Sequence, residues 1–175
     1  MTAVELRLHV QEPHRATTEW KQVKGIARRL HRHLNQEKVL RRIAAVNKPR
    51  ASSADIQATF ADFARTLGFE SEKKGLFAGS EFALRPDYYL DLGEGGVLLE
   101  VERGKTTINN MDLLDFWKCH LCPGGRYLFL LVPRALRQNE TMTPRNEFAT
   151  VDRRLATFFQ PGSYTNVRGL ALFGY

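Results

Sequence analysis

Three carboxylates in a short stretch have the types and spacing for metal chemistry. Asp87 follows Pro86, and Glu100 and Glu102 flank Val101, with thirteen positions from Asp87 to Glu100. Tyr88-Tyr89-Leu90-Asp91-Leu92 reads as a strand, Gly93-Glu94-Gly95-Gly96 as a tight turn, and residues 97–102 as the returning strand. Folded around that turn, Asp87 comes level with Glu100. Glu100 and Glu102 then share one face, because strand side chains alternate. Carboxylates that close repel unless a cation stands between them, and hard oxygen donors suit magnesium, with manganese able to substitute. The plainer reading is a solvated hairpin with acids on its outer face. Leu90, Leu92, Val97, Leu99 and Val101 argue against it, since they require a core beneath the hairpin.

This arrangement resembles the PD-(D/E)xK nuclease superfamily. Pro86-Asp87 is similar to the first half of its motif and Glu100-Val101-Glu102 to the second. The run from Glu100 through Lys105, followed by residues 109–116 (Asn-Asn-Met-Asp-Leu-Leu-Asp-Phe), resembles the BglII and BamHI branch of restriction endonucleases. The likeness spans residues 52–133, with the terminal 169–174 segment as a further strand. Glu102 stands where the superfamily's usual lysine would be, as a glutamate does in the BamHI-like variant.

The resemblance implies an α/β fold: a restriction-endonuclease-like core, a mixed central sheet flanked by helices, over residues 51–175. It implies a Mg2+ site made by Asp87, Glu100 and the carbonyl of Val101. Glu102 would orient or deprotonate the attacking water, and Lys105, in competition with Arg103, would supply positive charge. The implied activity is metal-dependent hydrolysis of phosphodiester bonds in DNA by an endonuclease. The alternative is a nuclease-fold nucleic-acid-binding protein that has lost catalysis. An additional acid is expected near Gln57, where Asp55 is the nearest substitute; Asp55 also reads simply as an acid favouring the start of its helix.

The positioning elements follow from periodicity. Thr17-Thr18-Glu19 offers an N-cap before Trp20, and the apolar residues Trp20, Val23, Ile26, Ala27, Leu30, Leu34, Val39, Leu40 and Ile43 recur at roughly helical spacing, as one long helix or two broken near Asn35, ending by Asn47-Lys48-Pro49. Ser52 or Ser53 caps a second helix with Ile56, Phe60, Phe63, Ala64 and Leu67 inward, stopped by Gly68. Residues 69–77 read as a strand. Asn109 or Asn110 caps a helix with Leu113, Leu114, Phe116, Trp117 and Leu121 as its apolar set. Residues 127–132 form a strand buried on both faces. Residues 134–145 read as a loop, 148–159 as a helix and 170–173 as a last strand.

Charge separates the chain into two parts. Residues 1–50 carry 12 Lys and Arg against 4 Asp and Glu, whereas the other 125 residues carry 14 against 15. The whole basic excess therefore lies in an N-terminal helical segment, which points to a polyanionic partner. Lys24, Arg28, Arg29, Arg32, Arg41 and Arg42 are its candidate phosphate contacts, and DNA the expected partner. His31 and His33 read as part of this basic surface. The stripe Trp20, Val23, Ala27, Leu30, Leu34 either covers the chain's own core or forms the interface of a homodimer. Cys119 and Cys122 are too close for a disulfide framework and lack convincing zinc partners, so a reducing cytoplasm is expected. No apolar run is long enough to span a membrane, and no phosphate-binding glycine loop or nucleophile elbow is present.

Overall fold

The computed structural model describes residues 2–71, 84–104, 106–136 and 143–175. Six strands form one mixed sheet in the order β1-β6-β5-β4-β3-β2. They are β1 (Glu5–Val10), β2 (Glu70–Ser71), β3 (Tyr88–Asp91), β4 (Gly96–Val101), β5 (Gly125–Val132) and β6 (Gly169–Gly174). The central strands β4, β5 and β6 are parallel, and β1, β3 and β2 run antiparallel to their neighbours. The mixed α/β class expected from the sequence is the class observed. The 69–77 strand is represented by β2 alone, and residues 72–83 lie outside the described residues.

Helices cover both faces. On one face lie α1 (Thr18–Leu34), α2 (Glu37–Val46), α3 (Ser53–Gln57) and α4 (Ala61–Thr66); on the other lie α5 (Met111–Leu121) and α6 (Glu147–Ala156). The sheet serves both layers by alternation. Leu99, Phe129, Leu131 and Phe173 face the first, whereas Leu98, Leu128, Leu130 and Leu172 face the second. Parallel strands buried on both sides read as continuous apolar runs for this reason.

Two features of the N-terminal segment differ from the sequence reading. The first is β1, which that reading leaves unassigned although Leu6, Leu8 and Val10 alternate with Glu5, Arg7 and His9. The second is the stripe Trp20, Val23, Ala27, Leu30, Leu34. It is buried in the core shared with the sheet, so it is not available as a dimer interface. The helix does break at Asn35, whose side chain accepts from Val4 N at 2.9 Å and donates to Val4 O and to His31 O. His31 Nε2 also meets Val4 O at 2.8 Å, and His33 stacks on Phe63. Both histidines thus join packing contacts instead of an open basic surface. Leu30 is fully buried in this layer. Leu30→Ala is expected to cost about 3 kcal/mol, lost transfer energy plus a cavity. A shift in urea midpoint equivalent to under 1 kcal/mol would mean that α1 is not integral to the core.

Among the described residues no helix is long and apolar enough to cross a membrane. Cys119 and Cys122 are free, buried thiols at the end of α5, where they fill space as expected.

Candidate functional site

The β3–β4 hairpin forms as the turn chemistry requires. Gly93 has φ of +94°, a conformation that costs glycine little, and Asp91 Oδ1 accepts from its N–H at 2.8 Å. The register pairs Tyr88 with Leu99, which sets Asp87 opposite Glu100. Asp87 Oδ2 accepts from Val101 N at 2.8 Å, and Asp87 N donates to Glu100 Oε2 at 3.2 Å. The two acids are therefore held beside each other at the C-terminal end of β4, next to β5, by the N–H groups of Val101 and Asp87.

Glu100 projects to the face covered by α5, along with Leu98, and is 3% exposed. Two α5 residues absent from the sequence-level candidates meet it there. Lys118 Nζ lies 2.8 Å from Glu100 Oε1 and 3.0 Å from Asp115 Oδ1. Asp115 is itself buried, and its Oδ2 has no hydrogen-bond partner among the described residues. Glu102 interacts with Asp115 through its side chain. Among the described residues the cluster is thus Asp87, Glu100, Glu102 and Asp115, with the Lys118 ammonium on Glu100 and Asp115.

Burial is the largest influence on Glu100, Glu102, Asp115 and Lys118. It pushes Glu100 well above the usual carboxylate range, with the charges of Asp115 and Asp87 adding and Lys118 opposing. Asp115 is raised by burial and held back by Lys118. Burial alone would lower Lys118, but Glu100 and Asp115 reverse that and raise it, so it stays cationic. Glu102 is pushed up to about 8 by burial, then by the charge and hydrogen bond of Asp115. The protonated form of Glu102 is therefore favoured at neutral pH beside the Asp115 carboxylate.

That proton has a consequence for stability. Between the ordinary value of 4.5 and about 8, the folded chain keeps a proton that the unfolded chain has released. The stabilising contribution is complete below the lower value and is lost as pH rises through the upper one. Glu102→Gln removes the linkage. The variant should gain on the order of 2–3 kcal/mol relative to the parent between pH 4.5 and pH 8.5. Denaturant midpoints across that range test this, and parallel pH curves for the two proteins would reject the assignment.

The loop between β4 and α5 is tied to α6. Arg154 donates to Thr107 O and Asn110 Oδ1 and pairs with buried Asp112 at 3.3 Å, and Glu147 Oε2 accepts from Thr107 N at 3.2 Å. This network fixes where α5 begins and hence where Asp115 and Lys118 stand. Lys105 falls in this loop but lies outside the described residues.

Other expected participants are elsewhere. Val101 contributes its N–H to Asp87, and its side chain turns to the opposite core. Asp55 forms a reciprocal capping box with Ser52 at the start of α3, and those hydrogen bonds hold its carboxyl below the usual range. It serves the helix end. Arg28, Arg29, Arg32, Arg41 and Arg42 are exposed and Lys24 is half-buried, all on the helical layer opposite α5. The end of α2 comes closest to the acids along the chain path, since Arg103, next to Glu102, donates to Lys48 O at 2.6 Å.

Asp112 and Asp115 make the buried stripe of α5 with Phe116 and Cys119, spaced 112, 115, 116, 119. The apolar set read from the sequence is partly inverted, because Leu114, Trp117 and Leu121 are 43–53% exposed. No family model, no curated protein and no solved structure matches the chain.

An oxygen-rich donor set, a buried carboxylate oxygen without a partner and a carboxyl pair needing a positive charge between them all fit a hard divalent ion. Among the described residues, however, no group of three or more His, Cys, Asp or Glu side chains stands in ligating geometry. The Lys118 ammonium is what bridges Glu100 and Asp115.

Proposed function

We propose that this chain is a metal-dependent nuclease of the PD-(D/E)xK type, hydrolysing phosphodiester bonds of DNA at the Asp87–Glu100–Glu102 cluster. The observation that carries this reading is the lysine. A half-buried ammonium reaches Glu100 from α5, so Lys118 can supply the charge that Glu102, occupying the usual lysine position, cannot. Asp87, Glu100 and the Val101 carbonyl would hold magnesium. When bound, that ion supplies Lewis acidity and a more acidic water. Glu102 would move the proton: its carboxyl, pushed up to about 8, is mainly protonated at neutral pH, and only its ionised form would accept a proton from water and return it. Lys118 stabilises negative charge growing on the phosphate. The exposed arginines of α1 and α2 provide sequence-independent attraction to the backbone.

A second reading, a nuclease-fold binding protein without catalysis, is favoured by one observation. Lys118 engages two of the four carboxylates, and no ligand cage is formed among the described residues. Magnesium-dependent nicking of supercoiled plasmid by the purified protein separates the two. Calorimetric titration with manganese should show binding that Asp87→Ala abolishes. Nicking without that dependence would reject the metal assignment, and binding of DNA without nicking would establish the second reading.

A further inference from the structure

Strand β1 is one edge of the sheet, and among the described residues nothing pairs with its outer side. Exposed edges invite pairing with another chain and are usually blunted or covered. This one is instead recessed. A cavity of about 670 Å3 runs beside Glu5 and Arg7, with Ile43 of α2 on one wall and Ala149 of α6 on the other. A second, of about 340 Å3, continues beside His9 and Val10, between Lys24 of α1 and Ala156 of α6. Together they follow the strand along its length, roughly 20 Å at strand rise.

The walls limit what can enter. The two helical layers lie on opposite faces of the sheet, and both contribute walls to the cavities beside the strand, Ile43 and Lys24 from one and Ala149 and Ala156 from the other. A second copy of the sheet would bring its own covering helices against α2 and α6. It would also bring a second basic α1 against the first. A single extended segment meets neither obstacle.

Charge narrows the occupant further. His31 and Asn35 touch Val4, and Lys24 lines the cavity beside His9, so these three positions mark the stripe of α1 that faces β1. Arg28 lies one turn from both Lys24 and His31 and falls on the same stripe. Lys24 and Arg28 make no ion pair among the described residues. Glu5 pairs with Arg134 and Arg7, and Asp152 is hydrogen-bonded to His9. Arg7, Arg134, Lys24 and Arg28 outnumber these two acids, so the net charge along the edge is positive.

We infer that β1 is a docking edge for an extended acidic peptide segment of a partner protein, taken up by strand addition in the slot between α2 and α6, with its acidic side chains against Lys24 and Arg28. Main-chain bonds to β1 supply affinity, and the two cations supply selectivity. This inference does not rest on the hydrolytic reading, but it moves Lys24 and Arg28 from the candidate phosphate contacts to a peptide, leaving Arg29, Arg32, Arg41 and Arg42 for the nucleic-acid backbone.

The probe is a capped seven-residue peptide alternating Glu and Val, titrated into the full chain by fluorescence anisotropy and followed by amide hydrogen exchange. Binding is expected, with slowed exchange in residues 5–10. Replacing Glu by Lys in the peptide, or N-methylating its alternate amides, should weaken binding at least about tenfold, as should Lys24→Glu with Arg28→Glu in the protein. Absence of binding, equal binding of the N-methylated peptide, or protection confined to other segments would overturn the inference. So would protection of β1 by self-association in sedimentation experiments without peptide. Displacement of the peptide by a single-stranded oligonucleotide that itself protects β1 would assign the edge to nucleic acid instead.

Discussion

Glu100→Gln is expected to reduce magnesium-dependent plasmid nicking by at least about a thousandfold while leaving the fold as stable as the parent or slightly more so. The two expectations come from the same geometry. Glu100 is 3% exposed, and burial, Asp115 and Asp87 all act against its ionised form. A neutral amide of the same shape removes that penalty, which offsets the loss of the Asp87 N–H bond that Oε2 accepts at 3.2 Å in the parent. It still presents an oxygen to Lys118 Nζ, 2.8 Å away in the parent. The amide is a poor ligand for a hard cation, however, and carries no charge to hold one. A residue that served only the fold would lose activity and stability together. Here the nicking rate should collapse while the urea midpoint holds. If the variant nicks at the parental rate, Glu100 is not part of a hydrolytic site. If the parent is itself inactive but binds duplex DNA, the cluster is a structural remnant within a binding protein.

How much of this site could be read from the chain depends on how local each signal is. Asp87 and Glu100 were legible because one hairpin brings them together. A glycine turn fixes the register, and strand alternation decides which residues share a face. Nothing distant had to be known. Asp115 and Lys118 reach the same point by a long route. Their approach depends on how α5 rotates over β4 and β5, and that rotation is set by Asp112, Glu147 and Arg154 pinning the loop before it. In sequence, Asp115 and Lys118 look like an exposed ion pair three residues apart. The apolar Leu114, Trp117 and Leu121 compete for the inward face and lose it to Phe116 and Cys119. β1 is a different case. Its alternation was present in Glu5-Leu6-Arg7-Leu8-His9-Val10, but the strong helical pattern and charge that follow made the whole segment read as helical. The layer of α1 on the sheet likewise turned a candidate interface into core. A stripe of Trp and Leu on a helix specifies burial without specifying against what.

Lys118→Met should be the most damaging single change at the site, and its cost should depend on pH. Methionine keeps most of the side-chain bulk but leaves Glu100 and Asp115 buried beside each other without the ammonium that lies within 3.0 Å of both. Breaking a buried ion pair from one side typically costs about 3–5 kcal/mol, because the remaining charge has lost its compensation. The carboxyls can escape by taking up protons. Both are already raised by burial, and removal of Lys118 takes away the main influence opposing that rise. In the variant, the folded state therefore holds protons to still higher pH than in the parent. The sign follows from the linkage: where the folded state binds more protons than the unfolded state, stability falls as pH rises. The loss caused by Lys118→Met should accordingly be small at pH 5 and approach its full size by pH 8.5, read from denaturant midpoints. A divalent ion offers the other escape. If the carboxylates can ligate one, magnesium or manganese should raise the melting temperature of Lys118→Met more than that of the parent, since the ion takes over the neutralising role. The variant should nevertheless nick plasmid poorly, because the ammonium that would meet the phosphate is gone. An equal loss of stability at pH 5 and pH 8.5 would show that Lys118 acts through packing alone. A pH-dependent loss that no divalent ion relieves would mean that the four carboxylates were never a metal site, and would shift the reading to the binding protein.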